Sequence, residues 1–122
     1  MKKGKILITG SAGFIGFSLS RSFLKFGYNA VGIDNINSYY SKALKLDRIK
    51  ILKKFKKFRF YKADLRNKKR IKSLFIKNKI DTVYHLAAQA VFMGLIKNYH
   101  FQNQIQSIIL HSFMPLQKDQ MN

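Results

Sequence analysis

The chain has 122 residues, of which 24 are Lys or Arg and 5 are Asp or Glu, so its formal net charge is +19. This length predicts one small domain, and 47% apolar residues are too many for a disordered chain. Because cysteine is absent, disulfides, Cys-ligated metal sites and a thiol nucleophile are excluded. No apolar run approaches the roughly 18 residues that a membrane span needs, so we expect a cytoplasmic protein without membrane partners.

Hydrophobic periodicity alternates along the chain between strand and helix patterns. Short apolar runs predict four buried strands, at residues 5–9, 30–34, 58–63 and 82–87. Three helices are predicted between these strands. Gly27 ends the first and Asn67 caps the third. Their apolar residues are Ile15, Leu19, Phe23 and Phe26 on one face of the first helix, Leu46, Ile49, Leu52 and Phe55 in the second, and Ile71, Leu74 and Phe75 in the third. This alternation predicts an α/β fold with a doubly wound parallel sheet in the strand order 3-2-1-4.

Beyond residue 90 the sequence changes character. Ile105, Ile108, Ile109 and Phe113 have the spacing of one last amphipathic helix, which Pro115 would end. We therefore divide the chain into residues 1–90 and a divergent helix and tail over residues 91–122. A sheet that stops after about four strands leaves its fourth strand as an exposed apolar edge, open to pairing with a second copy or another chain.

A glycine-punctuated turn between the first strand and the first helix is the strongest functional signal. Gly10 permits the tight turn out of the strand, Gly13 lets a pyrophosphate approach the backbone, and Gly16 lets the helix pack closely on the sheet. The phosphates would lie at the N-terminus of the helix, where unpaired N–H groups favour an anion. The turn predicts a Rossmann-type dinucleotide site in residues 1–90.

An acid follows at the expected distance. Asp34 ends the second strand, 18 residues after Gly16, where a carboxylate accepts hydrogen bonds from the adenosine ribose and repels a 2′-phosphate. NAD is therefore favoured over NADP, although Lys42 and Lys45 lie close enough in sequence to weaken that preference. The alternative interpretation is that Asp34 and Asn35 are ordinary turn residues.

These motifs together resemble the extended short-chain dehydrogenase/reductase family of NAD-dependent nucleotide-sugar epimerases and dehydratases. Asp34-Asn35, Asp64-Leu65 and the segment from His85 to Ala90 follow the second, third and fourth strands in the order typical of that family. The segment over residues 32–40 is most similar to the UDP-glucuronate 4-epimerase branch. The resemblance runs from about residue 5 to residue 90.

The resemblance implies a cofactor site. It assigns the pyrophosphate to the glycine turn, the ribose to Asp34 and Asn35, the adenine to Asp64 and Leu65, and the nicotinamide end to the residues after the fourth strand. The implied cofactor-binding residues are Gly10, Ser11, Ala12, Gly13, Phe14, Ile15, Gly16, Asp34, Asn35, Asp64, Leu65, Leu86, Ala87 and Ala88.

The same resemblance implies a tyrosine base with a lysine four residues later, and none of the six tyrosines has one. We therefore expect no catalytic residue in this chain and no sugar-binding lobe, as in an N-terminal portion or a frame-disrupted copy of an epimerase. A nucleotide sugar is a partner only if the missing lobe is supplied. His85, His100 and His111 lack the spacing of metal ligands, so no metal is expected.

The basic residues support a second hypothesis. Between residues 42 and 79 lie 17 of the 24 Lys and Arg residues, which is also typical of a non-catalytic module that binds nucleic acid or another polyanion. No base-stacking motif accompanies them, and lysines on the polar faces of helices are usually solvated. The glycine turn and Asp34 favour the cofactor-binding hypothesis.

Overall fold

The computed structural model describes residues 4–36, 42–86 and 107–110, the last as backbone only. One parallel sheet forms the middle layer. Its strands are β1 (Lys5–Thr9), β2 (Asn29–Asp34), β3 (Phe58–Lys62), β4 (Thr82–His85) and β5 (Ser107–Leu110), in the order β3-β2-β1-β4-β5. The α/β doubly wound fold and the predicted order of the first four strands are confirmed.

Three helices connect the first four strands. They are α1 (Phe14–Lys25), α2 (Lys42–Leu52) and α3 (Lys68–Asn78). The predicted helix ends are present. Gly27, just after α1, has a left-handed φ of 87°. The Asn67 side chain caps α3 by accepting a hydrogen bond from the Arg70 N–H at 3.2 Å. Each connection leads into a parallel strand, so all carboxyl ends of β1 to β4 lie at one edge of the sheet.

The sheet is buried on both faces. Alternate residues of each strand point to opposite sides, so Leu7 and Ile33 join a core with Ile71 and Phe75 of α3. Ile6 and Ile8 lie in the second core, which α1 and α2 cover. The helix residues buried there are Leu24, Ile49 and Leu52. Two cores on one sheet make the three-layer arrangement that the alternating sequence pattern predicts.

Helix α1 faces the sheet differently from the prediction. Its buried residues are Gly16, Ser20 and Leu24, whereas Phe26 of the predicted apolar face is 71% exposed. Ile15, Leu19 and Phe23 are only partly buried and pack at the margin of the core. The small side chains lie at the closest approach of the helix to the sheet, and hydrophobicity alone does not identify such positions.

The predicted helix over residues 105–113 is wrong where the structure describes it. Residues 107–110 form β5, parallel to β4 with Thr82 opposite Ser107 and His85 opposite Leu110. An apolar run of this length is compatible with either element, and pairing with β4 decides in favour of the strand. Among the described residues β5 therefore replaces β4 as the outermost strand on that side of the sheet, and the rest of the predicted helix and tail lies outside them.

No helix within the described ranges combines the length and apolar character needed to cross a membrane. Those ranges likewise hold no group of three or more potential metal ligands.

The core on the α3 side can be tested with adjacent residues of that helix. Phe75 is 1% exposed and Ile76 is 63% exposed. We expect Phe75→Ala to lower the free energy of unfolding by about 3–5 kcal/mol, since it leaves a cavity, and Ile76→Ala to change it by less than about 0.5 kcal/mol. Urea unfolding of the two variants measures this. Equal losses would contradict the orientation of α3.

Candidate cofactor site

The glycine turn is formed by main-chain contacts at the end of β1. Gly10 has a left-handed φ of 70°, and its N–H donates to the Ile33 carbonyl oxygen of β2 at 2.9 Å. The Gly13 N–H donates back to the Gly10 carbonyl oxygen at 3.1 Å. A residue with a side chain rarely adopts the φ of Gly10. The turn therefore depends on glycine at its first position, as the sequence predicts.

Gly16 brings α1 onto this turn. A Cβ at residue 16 would overlap the Gly10 carbonyl oxygen and lie 2.8 Å from its carbonyl carbon. A Cβ at residue 13 would lie 3.3 Å from the same oxygen, which is a tight contact but not an overlap. The first turn of the helix thus lies directly on the glycine turn, and Gly16 is the position that permits it.

The N-terminus of α1 has the features of an anion site. Gly13 is its N-cap and supplies no side-chain hydrogen bond, and no acidic residue lies in the first helical turn. The first N–H groups of a helix lack partners within the helix and carry the positive end of its dipole. Such a helix start favours an anion such as a pyrophosphate, because neither the N-cap nor the first turn offers a side-chain acceptor that would compete.

The Asp34 carboxylate connects β2 to the turn. One of its oxygens accepts a hydrogen bond from the Ala12 N–H at 3.0 Å, and the other accepts from the Ile36 N–H at 2.8 Å. The side chain is 8% exposed. An ordinary turn-initiating aspartate binds its own loop, whereas this one also binds a loop 22 residues away. The carboxylate is therefore fixed beside the glycine turn, where the prediction places it.

Ile36 has an unusual backbone beside this carboxylate. Its φ of 51° lies in the left-handed region, which is a marked outlier for a β-branched residue. Its side chain is buried in the core that α1 and α2 cover, and its N–H binds Asp34. Strain of this kind, of order 1–3 kcal/mol, persists where neighbouring contacts fix the backbone and is commonly found at functional sites.

Arg48 is a site residue that the sequence did not indicate. It lies in α2, and its Nη1 donates to the Ala12 carbonyl oxygen at 3.0 Å. Ala12 is thus held on both sides, through its N–H by Asp34 and through its carbonyl by Arg48. The one available signal was that Arg48 is the single arginine among the lysines of this helix.

The ends of β1 and β4 are joined by a buried side chain. The Thr9 hydroxyl accepts a hydrogen bond from the Leu86 N–H at 2.9 Å and lies 2.8 Å from His85 Nδ1. These residues lie between the neighbouring strands β1 and β4, where the strand order of the sheet changes direction. Open α/β sheets bind ligands at such a point. Leu86 is buried in the core that α1 and α2 cover.

Asp64 and Leu65 follow β3 at the same edge. The Ala63 N–H donates to the Asp34 carbonyl oxygen at 3.2 Å, so this loop begins beside the end of β2. Leu65 is buried, and Asp64 forms an ion pair with Arg66 at 2.7 Å. Hydrogen bonds from the Arg66 side chain and backbone lower the pKa of Asp64 from 3.8 to about 2. The carboxylate is therefore charged at neutral pH.

The remaining predicted residues differ in their surroundings. Ser11 and Ala12 are buried, and the Ser11 hydroxyl has no hydrogen-bond partner among the described atoms. It lies over β2, where a Cβ on Gly32 would approach it to 2.6 Å. Phe14 is 70% exposed and Asn35 is also exposed. Ala87 and Ala88 lie outside the described residues.

The chain matches the family model of GDP-mannose 4,6-dehydratase over residues 7–101. Protein CapI of Staphylococcus aureus is 44% identical to it over 94 residues, which are 77% of this chain and 28% of CapI. A UDP-glucuronate 4-epimerase of Thermodesulfobacterium geofontis is 40% identical over 95 residues, which are 78% of this chain and 29% of that protein. The chain therefore spans less than a third of the length of these curated relatives.

Solved structures show the same similarity. The UDP-glucuronic acid 4-epimerase of Bacillus cereus in complex with NAD superimposes with a TM-score of 0.77 and 30% identity, covering 87% of this chain and 39% of that one. A variant of the same enzyme, in complex with a fluorinated UDP-glucuronic acid and NAD, is 42% identical, with a TM-score of 0.61, over 69% of this chain and 26% of that one.

The contact of Gly16 with the turn predicts that Gly16→Ala lowers the stability of the protein, although alanine has the higher helix propensity. In an exposed helix interior, Gly→Ala stabilises by about 1 kcal/mol. Here we expect Gly16→Ala to destabilise by more than about 1 kcal/mol, because the new methyl group overlaps the Gly10 carbonyl. Ser18→Ala, an exposed position on the same helix, is the control and should be neutral or slightly stabilising. Urea unfolding compares them, and a stabilised Gly16→Ala would refute the contact.

The ion pair of Asp64 gives a pH prediction. Arg66→Gln removes the side-chain donors, so we expect the pKa of Asp64 to rise from about 2 toward 3.8. A lowered pKa in the folded state favours folding at neutral pH, and this contribution is lost as the pH falls below 3.8 toward 2. Carboxyl-carbon NMR titration measures the shift. Arg70→Gln removes the same charge four residues later, in the first turn of α3, and should leave the Asp64 pKa unchanged. Equal shifts in both variants would contradict the pairing.

Proposed function

This chain belongs to the GDP-mannose 4,6-dehydratase family, and we propose that it binds NAD as the N-terminal portion of a nucleotide-sugar epimerase of the UDP-glucuronate 4-epimerase type. The observation that carries the proposal is the hydrogen bond between the Asp34 carboxylate and the Ala12 N–H. This bond holds the carboxylate that we assign to the ribose against the turn that we assign to the pyrophosphate, which supports a single site for both. The similar Bacillus cereus enzyme is a complex with NAD.

The pyrophosphate would lie on the N-terminus of α1. Two observations support this position. The helix start has no side-chain cap, and the contact of Gly16 with Gly10 brings the first helical turn against the glycine turn. Arg48 would act indirectly, because it holds the Ala12 carbonyl while Asp34 holds the Ala12 N–H. We assign it as a positioning residue for the turn.

The ribose and adenine would lie along the ends of β2 and β3. Asp34 accepts two main-chain hydrogen bonds, and each carboxylate oxygen has a further lone pair for a ribose hydroxyl. The negative charge there disfavours the 2′-phosphate of NADP. Asn35, Asp64 and Leu65 complete this part of the proposed site, and Leu86 with Ala87 and Ala88 would line the nicotinamide end.

The reaction itself would need further groups. The family's catalytic pattern, a tyrosine with a lysine four residues later, does not occur in these 122 residues. We propose that this chain holds the cofactor in the cytoplasm but does not catalyse epimerisation alone. A nucleotide sugar becomes a partner only where the remaining part of the fold is provided, and the outer edge of β5 is the surface through which a second chain would associate.

Thermal unfolding with and without NAD tests the proposal. A ligand that binds only the folded state stabilises it by about 2.7 kcal/mol at a hundred times its dissociation constant, which raises the midpoint by several degrees. We expect NAD to raise the midpoint of the 122-residue chain and NADP to raise it less. A larger shift with NADP, or a cooperative transition that neither cofactor moves, would overturn the assignment.

A pair of variants locates the effect at the ribose carboxylate. Asp34→Asn removes its charge, and Asp47→Asn removes the same charge from an exposed position of α2. We expect Asp34→Asn to reduce the shift produced by NAD and to bring the shifts produced by NAD and NADP closer together. Asp47→Asn should respond like the parent chain, and an equal loss in both variants would indicate an unspecific charge effect.

A further inference from the structure

A cavity lies at the amino ends of the strands, opposite to the carboxyl ends where the proposed cofactor site lies. Its volume is about 120 Å³, and it opens where β1, β2 and β3 begin. The polar residues that line it are Lys5, Lys56, Lys57, Arg59, Asn29 and Asn78. The six residues of β2 separate the two edges by roughly 17 Å at the usual rise of a strand. No residue of the proposed NAD site lines this cavity.

The charges around this cavity are of one sign. Four of its lining residues are Lys or Arg, and none is acidic. Asp81 lies near the start of β1 but does not line the cavity. Its carboxylate accepts hydrogen bonds from the Lys5 main-chain N–H at 3.1 Å and from the Thr82 hydroxyl at 3.0 Å. Like charges gathered around a concave surface repel one another and attract anions.

Local contacts hold parts of this basic cavity in place. The Lys57 ammonium donates to the Gly27 carbonyl oxygen at 3.0 Å and keeps two further N–H donors. Asn78 is 2% exposed and donates to the Leu74 carbonyl at 2.9 Å, so the floor of the cavity is fixed by α3. Arg59 lies within β3, opposite Val31 of β2, and both residues line the cavity.

We propose that this cavity binds a phosphate group, either free or as the ester of a small molecule. A phosphate monoester carries a charge of about −1.5 to −2 at neutral pH and has three acceptor oxygens, which suit a cavity lined by four cationic residues. On the same measure of volume a single water molecule needs about 10–15 Å³, so a cavity of about 120 Å³ has room for a tetrahedral oxyanion. The site is separate from the proposed cofactor site and does not depend on it.

Titration of the 122-residue chain with inorganic phosphate tests this site, with sodium chloride at equal ionic strength as the reference. We expect saturable changes in the amide NMR signals of Ala30, Val31 and Arg59. Saturable changes confined to residues 10–16 would place the phosphate at the glycine turn and overturn the proposal. Changes that chloride reproduces would also overturn it, since they would reflect screening alone.

Matched double variants separate a specific site from general charge. Lys56→Gln with Arg59→Gln removes two lining cations, and Lys69→Gln with Arg70→Gln removes two exposed cations of α3. Each charge-assisted hydrogen bond is worth about a tenfold change in affinity. We therefore expect the first pair, which removes two cations, to weaken phosphate binding by about tenfold to a hundredfold, and the second to change it less than about twofold. Equal losses would refute the site.

A conservative substitution controls for folding. Arg59→Lys keeps a cation at the cavity, so we expect it to retain most of the phosphate affinity that Arg59→Gln loses. A loss as large as that of Arg59→Gln would assign the effect to the packing of β3 and would overturn the proposal. A final measurement tests binding of a single-stranded oligonucleotide. If the chain binds the oligonucleotide but not inorganic phosphate, the basic residues form a surface for polyanions and the proposal is overturned.

Discussion

The close approach of α1 to the glycine turn is the constraint on which the geometry of the candidate cofactor site depends. Because Gly16 has no side chain, the first helical turn lies against the Gly10 carbonyl, and the helix N-terminus faces the end of β1. The turn is then held from β2 by Asp34 and from α2 by Arg48. Three separate segments thus fix one loop, and the loop fixes the direction in which the N–H groups of the helix point.

The positions of the strands and of the glycine turn could be predicted from the sequence because their signals are local. A buried parallel strand is a short apolar run, and the glycines lie within seven residues of one another. Asp34 could be predicted because its position at the end of β2 follows from the topology of the fold. The last apolar segment could not be assigned, since its spacing fits a helix and its pairing with β4 depends on residues far away in sequence.

The features that the sequence did not reveal depend on contacts between distant segments. The sheet-facing side of α1 includes Gly16 and Ser20, which do not count as apolar positions in a periodicity analysis. Arg48 is one more basic residue in a basic helix until α2 is packed beside the turn. The basic cavity combines residues from β1, β2, β3 and α3, which only the assembled sheet brings together.

The two main-chain hydrogen bonds of Asp34 have an entropic consequence for any group that binds there. Its carboxylate is already immobilised by Ala12 and Ile36, so a ligand that reaches it finds a side chain with no rotamer freedom left to lose. Preorganised groups of this kind lower the entropic cost of association. A ligand that binds at this carboxylate would therefore lose little side-chain entropy at Asp34.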